Sequence, residues 1–229
     1  MKMQQKLIAG ALALSAMAGV VPAAYADVAA TLGLANEYYW RGFDLGGGAA
    51  ATADIKYTAG GFYAGAWTSS GDATNGTEYD LYSGYTLTSG DFKADFSLVS
   101  YNYPAPKAYE KAQVPGDYTE AVLALGYGPV TATYYKSISA KHNTLADNTY
   151  SYATLALVLD KFTFKLGEHF SDLSGPGSLD GVVHLDATYA YNDKLSFTIG
   201  GLLDSKDYYK GTDIKDTANF VVGLTLPIQ

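Results

Sequence analysis

The segment from Thr77 to Tyr103, TEYDLYSGYTLTSGDFKADFSLVSYNY, reads as two strands joined by a tight turn. In its first half Tyr79, Leu81, Ser83 and Tyr85 alternate with Glu78, Asp80, Tyr82 and Gly84. After a turn expected at Leu87 to Asp91, Phe92, Ala94, Phe96 and Leu98 alternate with Lys93, Asp95 and Ser97. Successive side chains of a strand point to opposite faces, so the hairpin has one apolar face and one charged face. About six such units follow residue 26. They predict an all-β fold: a transmembrane, antiparallel, up-and-down β-barrel of about twelve strands.

The expected strands are 28–41, 49–58, 62–70, 77–86, 92–103, 118–127, 130–138, 149–159, 162–170, 182–191, 195–204 and 216–228. Their connections alternate in length. Short turns are expected at Ala59 to Gly61, Leu87 to Asp91, Gly128-Pro129, Asp160-Lys161 and Asn192 to Lys194. Long loops are expected at Gly42 to Gly48, Gly71 to Gly76, Pro104 to Asp117, Ser139 to Asn148, Ser171 to Gly181 and Ser205 to Lys215. Short periplasmic turns opposite longer external loops are the asymmetry of outer-membrane barrels. Pro104, Pro106, Pro115, Pro129 and Pro176 all fall in connections, where a missing N–H costs no ladder bond.

Once residues flanking the turns and loops are set aside, thirteen charged residues lie within the expected strands, and eleven share one phase: Glu37, Arg41, Asp54, Lys56, Glu78, Asp80, Lys93, Asp95, Glu120, Lys165 and Asp186. With His169 and His184 on the same phase, these are the expected lumen-lining residues. The exceptions, Lys136 and Glu168, stand near loop-side strand ends, where a lipid-facing charge costs least. The opposite phase is apolar, for example Val28, Leu32 and Leu34, or Phe220, Val222, Leu224 and Leu226. The third strand is ambiguous, because Tyr63 and Trp67 oppose Phe62, Ala64 and Ala66. Tyr57, Phe62, Tyr85, Phe92, Tyr127, Phe162 and Tyr191 mark the turn side with an aromatic girdle. The 21 tyrosines fit such a boundary, with rings in lipid and hydroxyls in water.

The first 26 residues read as an export signal. Lys2 and Lys6 precede an apolar run from Leu7 to Val21, and Ala24-Tyr25-Ala26 supplies a small-residue cleavage site. That run is shorter than the roughly 20 residues of a membrane-spanning helix. The expected domains are therefore a cleaved signal, 1–26, and a barrel, 27–229, located in the outer membrane. Loss of the two lysines takes the formal net charge from −8 to −10, which argues against a nucleic-acid partner. The absence of cysteine excludes disulfides and thiolate metal sites.

The polar phase holds seven acids and four bases. The first functional reading is a narrow, porin-like channel for small solutes or ions, with weak cation preference. The alternative is a plugged barrel whose charges satisfy one another and whose loops bind or adhere. Ser205 to Lys215, with Lys206, Tyr208 and Tyr209, and Pro104 to Asp117 are the loops considered for that role. A lipid-modifying enzyme is disfavoured. Ser171 lies two residues from His169, but no G-x-S-x-G or H-x-x-x-H spacing occurs. The chain is expected not to be an enzyme, to need no cofactor and no metal, and to have lipid and small solutes as partners. His169 and His184 flank the loop near Pro176, and a symmetric hairpin sets them opposite each other with Asp186 on the same face. Such a pair would suit a pH-sensitive gate and, more weakly, a divalent metal.

Asn36-Glu37-Tyr38-Tyr39-Trp40-Arg41-Gly42 resembles the opening signature of a proteobacterial family of conserved hypothetical outer-membrane barrels, the Gcw type. Gly61-Phe62-Tyr63-Ala64-Gly65-Ala66-Trp67 and Glu78 to Tyr85 resemble its second and third signatures. The resemblance is distinct over residues 30–100. It implies a barrel in the outer membrane and carries no established activity.

Overall fold

The computed structural model describes residues 26–46, 48–73, 76–105, 112, 114–141, 149–175, 177–206, 208 and 218–228. The body of the expected export signal, 1–25, lies outside them, as do Pro176 and most of the loop expected at Ser139 to Asn148. So do large parts of the loops expected at Pro104 to Asp117 and Ser205 to Lys215.

The wall begins with β1 (Asp27–Ala35). A small hairpin follows, β2 (Tyr39–Trp40) and β3 (Phe43–Asp44). Then come β4 (Ala50–Ala59), β5 (Phe62–Asp72), β6 (Gly76–Ser89), β7 (Phe92–Asn102), β8 (Tyr118–Tyr127) and β9 (Val130–Ala140). The chain finishes with β10 (Ser151–Leu159), β11 (Phe162–Phe170), β12 (Val183–Ala190), β13 (Leu195–Asp204) and β14 (Asn219–Ile228). β1 and β4 to β14 form one closed barrel of antiparallel neighbours. It closes between β1 and β14, with Leu34 opposite Leu224. Closure pairs the backbone of every wall strand on both sides, as lipid requires.

The alternation of the sequence is the alternation of the wall. Val28, Leu32, Leu34, Leu81, Phe96, Leu123, Leu155, Leu166, Ile199 and Phe220 are exposed on the outer face, whereas Glu78, Asp80, Asp95, Glu120 and Asp186 are buried inside. A soluble barrel inverts this arrangement. An outward band of aliphatic side chains around a charged interior is a membrane-spanning barrel. The seven girdle aromatics are all exposed on the turn side, from Tyr57 to Tyr191. No helix among the described residues is long and apolar enough to cross a membrane.

Three expectations are corrected. The first strand leaves the wall after Ala35 instead of running to Arg41, so Glu37 and Arg41 are not wall residues. β6 continues through Leu87 to Ser89, and its turn is only 90–91. β5 and β6 also lengthen on the other side, so the loop expected at Gly71 to Gly76 shrinks to 73–75. The third-strand ambiguity is resolved, with Tyr63 buried inside and Phe62 exposed outside.

The outer face generates the first prediction. Leu155, at the middle of β10, is 53% exposed, facing away from the lumen. Leu155→Arg should destabilise the barrel by about 2–4 kcal/mol when unfolding from lipid vesicles is followed with denaturant. An unchanged midpoint would mean that this face does not meet the bilayer interior.

Candidate functional site

The site is the lumen, and its centre is the segment that leaves the wall. At Asn36 the ladder with β14 ends in a side chain: the Asn36 amide donates to the Phe220 carbonyl (2.9 Å), and its oxygen accepts from Val222 N–H (2.6 Å). The backbone is thereby released from the wall without leaving β14 unpaired there. It folds inward as β2–β3, whose two-residue turn is Arg41-Gly42, both at positive φ (47° and 96°). This is the turn whose twist suits a tight hairpin. Gly42 is required twice, since an added Cβ would also lie 2.7 Å from the His184 side chain. Arg41 carries the left-handed cost, about 1–2 kcal/mol, and the contacts of its side chain offset it.

Those contacts are dense. Arg41 is 8% exposed, and Glu120 on β8 is fully buried. Two guanidinium nitrogens donate to the two Glu120 oxygens at 3.0 and 2.6 Å. Tyr101 and Tyr118 hydroxyls donate to the same carboxylate at 2.8 and 3.1 Å. The guanidinium also lies 4.5 Å from the ring centroids of Tyr135 and Tyr152 and 4.6 Å from that of Trp40. A planar cation with a bidentate carboxylate and aromatic faces is held in both position and orientation.

The hairpin has two further anchors. Tyr38 donates its hydroxyl to Glu78 on β6, whose other oxygen accepts from Tyr103 (2.8 Å). Tyr39 donates to Asp186 on β12 (2.7 Å). Three carboxylates around the wall thus hold three consecutive parts of one segment. Phe43 completes the fill against Tyr208 and His169, and Leu179 and Val182 of the 171–182 connection are buried in the same apolar cluster.

The histidines are neighbours, with ring centroids 6.2 Å apart, but not directly opposed. His184 pairs with Gly167, and His169 N–H bonds to the Val182 carbonyl, so the register is two residues from the symmetric one. Every ring nitrogen is engaged. His169 Nε2 lies 2.9 Å from the Arg41 carbonyl and Nδ1 2.9 Å from the Tyr150 hydroxyl. His184 Nδ1 lies 3.1 Å from Asp186 and Nε2 2.7 Å from the Tyr152 hydroxyl. Ser171 is not a hydrogen-bond partner of the His169 ring. Its hydroxyl accepts from Leu173 N–H in the loop. Among the described residues no three His or carboxylate groups converge as metal ligands.

On the turn side the lumen is wetter. Asp54, Lys56, Lys93 and Lys165 are half-buried there. Asp54 accepts from Tyr82 (2.8 Å), and Asp95 accepts from Tyr63 (2.8 Å) and Thr86 (2.6 Å). Lys56 sits 4.2 Å from the centroid of the Tyr63 ring, and Lys165 pairs with Asp186 at 2.9 Å. Tyr63 and Tyr82 lie across the strand pair on each other's glycine. Tyr63 opposes Gly84 and Tyr82 opposes Gly65, and a Cβ on either glycine would come within 2.5 Å of the ring atoms. Tyrosine over glycine keeps these rings flat against the wall.

Of the sequence-predicted lumen residues, the structure brings Arg41, Glu78, Glu120, His169, His184 and Asp186 together around the hairpin. Asp54, Lys56, Lys93, Asp95 and Lys165 line the turn-side recess. Asp80 is buried beside the first group, and its Oδ1 has no hydrogen-bond partner. Glu37 stands at the entry to the hairpin, where burial and then the Asp44 charge raise its carboxyl above the usual range. What sequence reasoning missed is the inner tyrosines. The signal was present: Tyr82 shares the phase of Glu78 and Asp80, and Tyr101 that of Lys93 and Asp95.

Glu120→Gln should destabilise the folded barrel by about 3–5 kcal/mol, because it leaves Arg41 buried without a counter-charge. Denaturant unfolding in detergent micelles checks this, and an unchanged midpoint would show that Arg41 is solvated in the native barrel.

Two solved structures are similar in shape. Outer membrane phospholipase A from Escherichia coli is 9% identical at a TM-score of 0.45, over 86% of this chain and 95% of that one. The Salmonella typhi outer membrane phospholipase dimer with bound calcium is 9% identical at 0.44, over 86% and 90%. Nothing about the chemistry of this chain follows from likeness at that level. No curated protein sequence matches. The family model described as a bacterial protein of unknown function, Gcw_chp, matches residues 20–219, and the chain belongs to that family.

Proposed function

We propose that this chain is an outer-membrane barrel that stands closed at rest, and that small solutes or ions pass only when the β2–β3 hairpin leaves the lumen. The observation that carries this reading is the burial of the Arg41–Glu120 pair inside the loop-side half of the barrel, 8% and 0% exposed. A water-filled eyelet at that level would hydrate both groups. The half-buried lysines and aspartate on the turn side support a polar recess there. A standing pore with cation preference is supported less well. Asp80 and Asp95, the acids suited to set such a preference, are 1% and 4% exposed.

Lipid is the partner of the outer face, and small polar solutes are the partners of the recess. The reading includes no catalytic step, because the imidazole nitrogens that would serve as bases are engaged by Tyr150, Tyr152, Asp186 and the Arg41 carbonyl.

In planar bilayers the native chain should be quiet, with rare brief openings. Replacing residues 38–43 by a Gly/Ser linker of equal length should raise the open fraction about a hundredfold, the effect of losing several kcal/mol of closed-state contacts. A native chain that conducts as steadily as the variant would end the closed-barrel reading.

A further inference from the structure

The surroundings of Arg41 form a receptor in their own right. Apart from Trp40, the groups that hold the guanidinium belong to the wall or lie directly beside it. Glu120 is on β8, Tyr101 on β7, Tyr135 on β9 and Tyr152 on β10. Tyr150, one residue before β10, adds its hydroxyl 3.0 Å from an Arg41 nitrogen. Rigid strands hold such a constellation whether or not the hairpin is seated. Its shape is specific. Two carboxylate oxygens in line take two parallel N–H donors, at 3.0 and 2.6 Å. Ring centroids 4.5 Å away on Tyr135 and Tyr152 take the face of a flat cation.

We infer that this cage is a binding site for small solutes bearing a guanidinium group, which the chain fills with its own Arg41 when the barrel is closed. An ammonium is a point charge without the planar fork, and it is more strongly hydrated, so it fits the same site poorly. A free guanidinium solute competes with a tethered one. The tether gives Arg41 an effective concentration in the millimolar range, so the native site yields only to abundant ligand. The consequence for conductance rests on the closed-barrel reading, because it requires the hairpin to be the plug. Binding itself does not.

The probes are methylguanidinium and methylammonium, each at about 10 mM, on the full chain folded in detergent. The expected result for Arg41→Ala is a rise in melting temperature of about 2–4 °C with methylguanidinium. Methylammonium should give none, and the native chain should shift little with either. In bilayers the same variant should open, and methylguanidinium should block it. Equal shifts with both cations, or equal shifts in variant and native chain, would overturn the site. So would a folded variant that neither shifts nor blocks, even if it conducts; that result would leave the closed-barrel reading standing. A methylguanidinium-specific shift in a variant that does not conduct would support the site, with the hairpin still seated by Tyr38 and Tyr39. If Arg41→Ala does not fold by itself, refolding is repeated with each probe present. Recovery of the heat-modifiable band with methylguanidinium alone supports the site, and failure with both overturns it.

Discussion

A carboxylate facing the inside of a lipid-embedded barrel must find its counter-charge and donors within that barrel. Glu120 finds its counter-charge on Arg41, in a segment that is not part of the wall. Much of the interior follows from that pairing. The chain has to leave the sheet after Ala35, Asn36 has to take over the ladder at β14, and Gly42 has to permit a two-residue turn pressed against His184. The strain at Arg41 is tolerated because a bidentate ion pair and three ring faces surround one side chain. Removing either partner would strand a buried charge, which is costlier than never having had the pair.

The acid excess of the lumen is explained by phenols rather than by cations. Among the described residues, Glu78, Asp54 and Asp95 accept from tyrosine hydroxyls at Tyr38, Tyr103, Tyr82 and Tyr63. Asp186 accepts from Tyr39 as well as pairing with Lys165. A tyrosine hydroxyl delivers a donor at the end of a rigid apolar body, so it satisfies a carboxylate and fills space at once. The tyrosines therefore divide between two tasks, an outer girdle at the lipid boundary and an inner set that donates to the lumen's carboxylates and packs it. The two halves of the lumen differ accordingly. The loop-side half is filled by the hairpin and its anchors, and the turn-side half keeps its rings flat and its lysines in reach of water.

The family signature gains a physical meaning here. Asn36 releases the chain from the wall, Tyr38 and Tyr39 reach two carboxylates, Trp40 and Arg41 fill the cage, and Gly42 makes the turn. The second and third signatures supply the crossed tyrosine–glycine pairs of β5 and β6 and the Glu78 anchor. Residues far apart in the chain are thus parts of one interior.

The sequence by itself determined the barrel. Period-two alternation in segments such as Thr77 to Tyr103 assigns side chains to faces, and the alternation of short and long connections fixes strand number and direction. Those rules are local, and local rules survive in one dimension. It also placed Glu120, Asp186, His169 and His184 in the lumen, because phase is local too. Only the tertiary structure decided which of these meet. Arg41 is 79 positions from Glu120, and Tyr39 is 147 from Asp186, and no periodicity links such distances. The extended reading of residues 36–41 failed for the same reason. Tyr38-Tyr39-Trp40-Arg41 alternates well enough for a wall strand, but its best partners are buried carboxylates on β6, β8 and β12, and those become neighbours only once the barrel has closed.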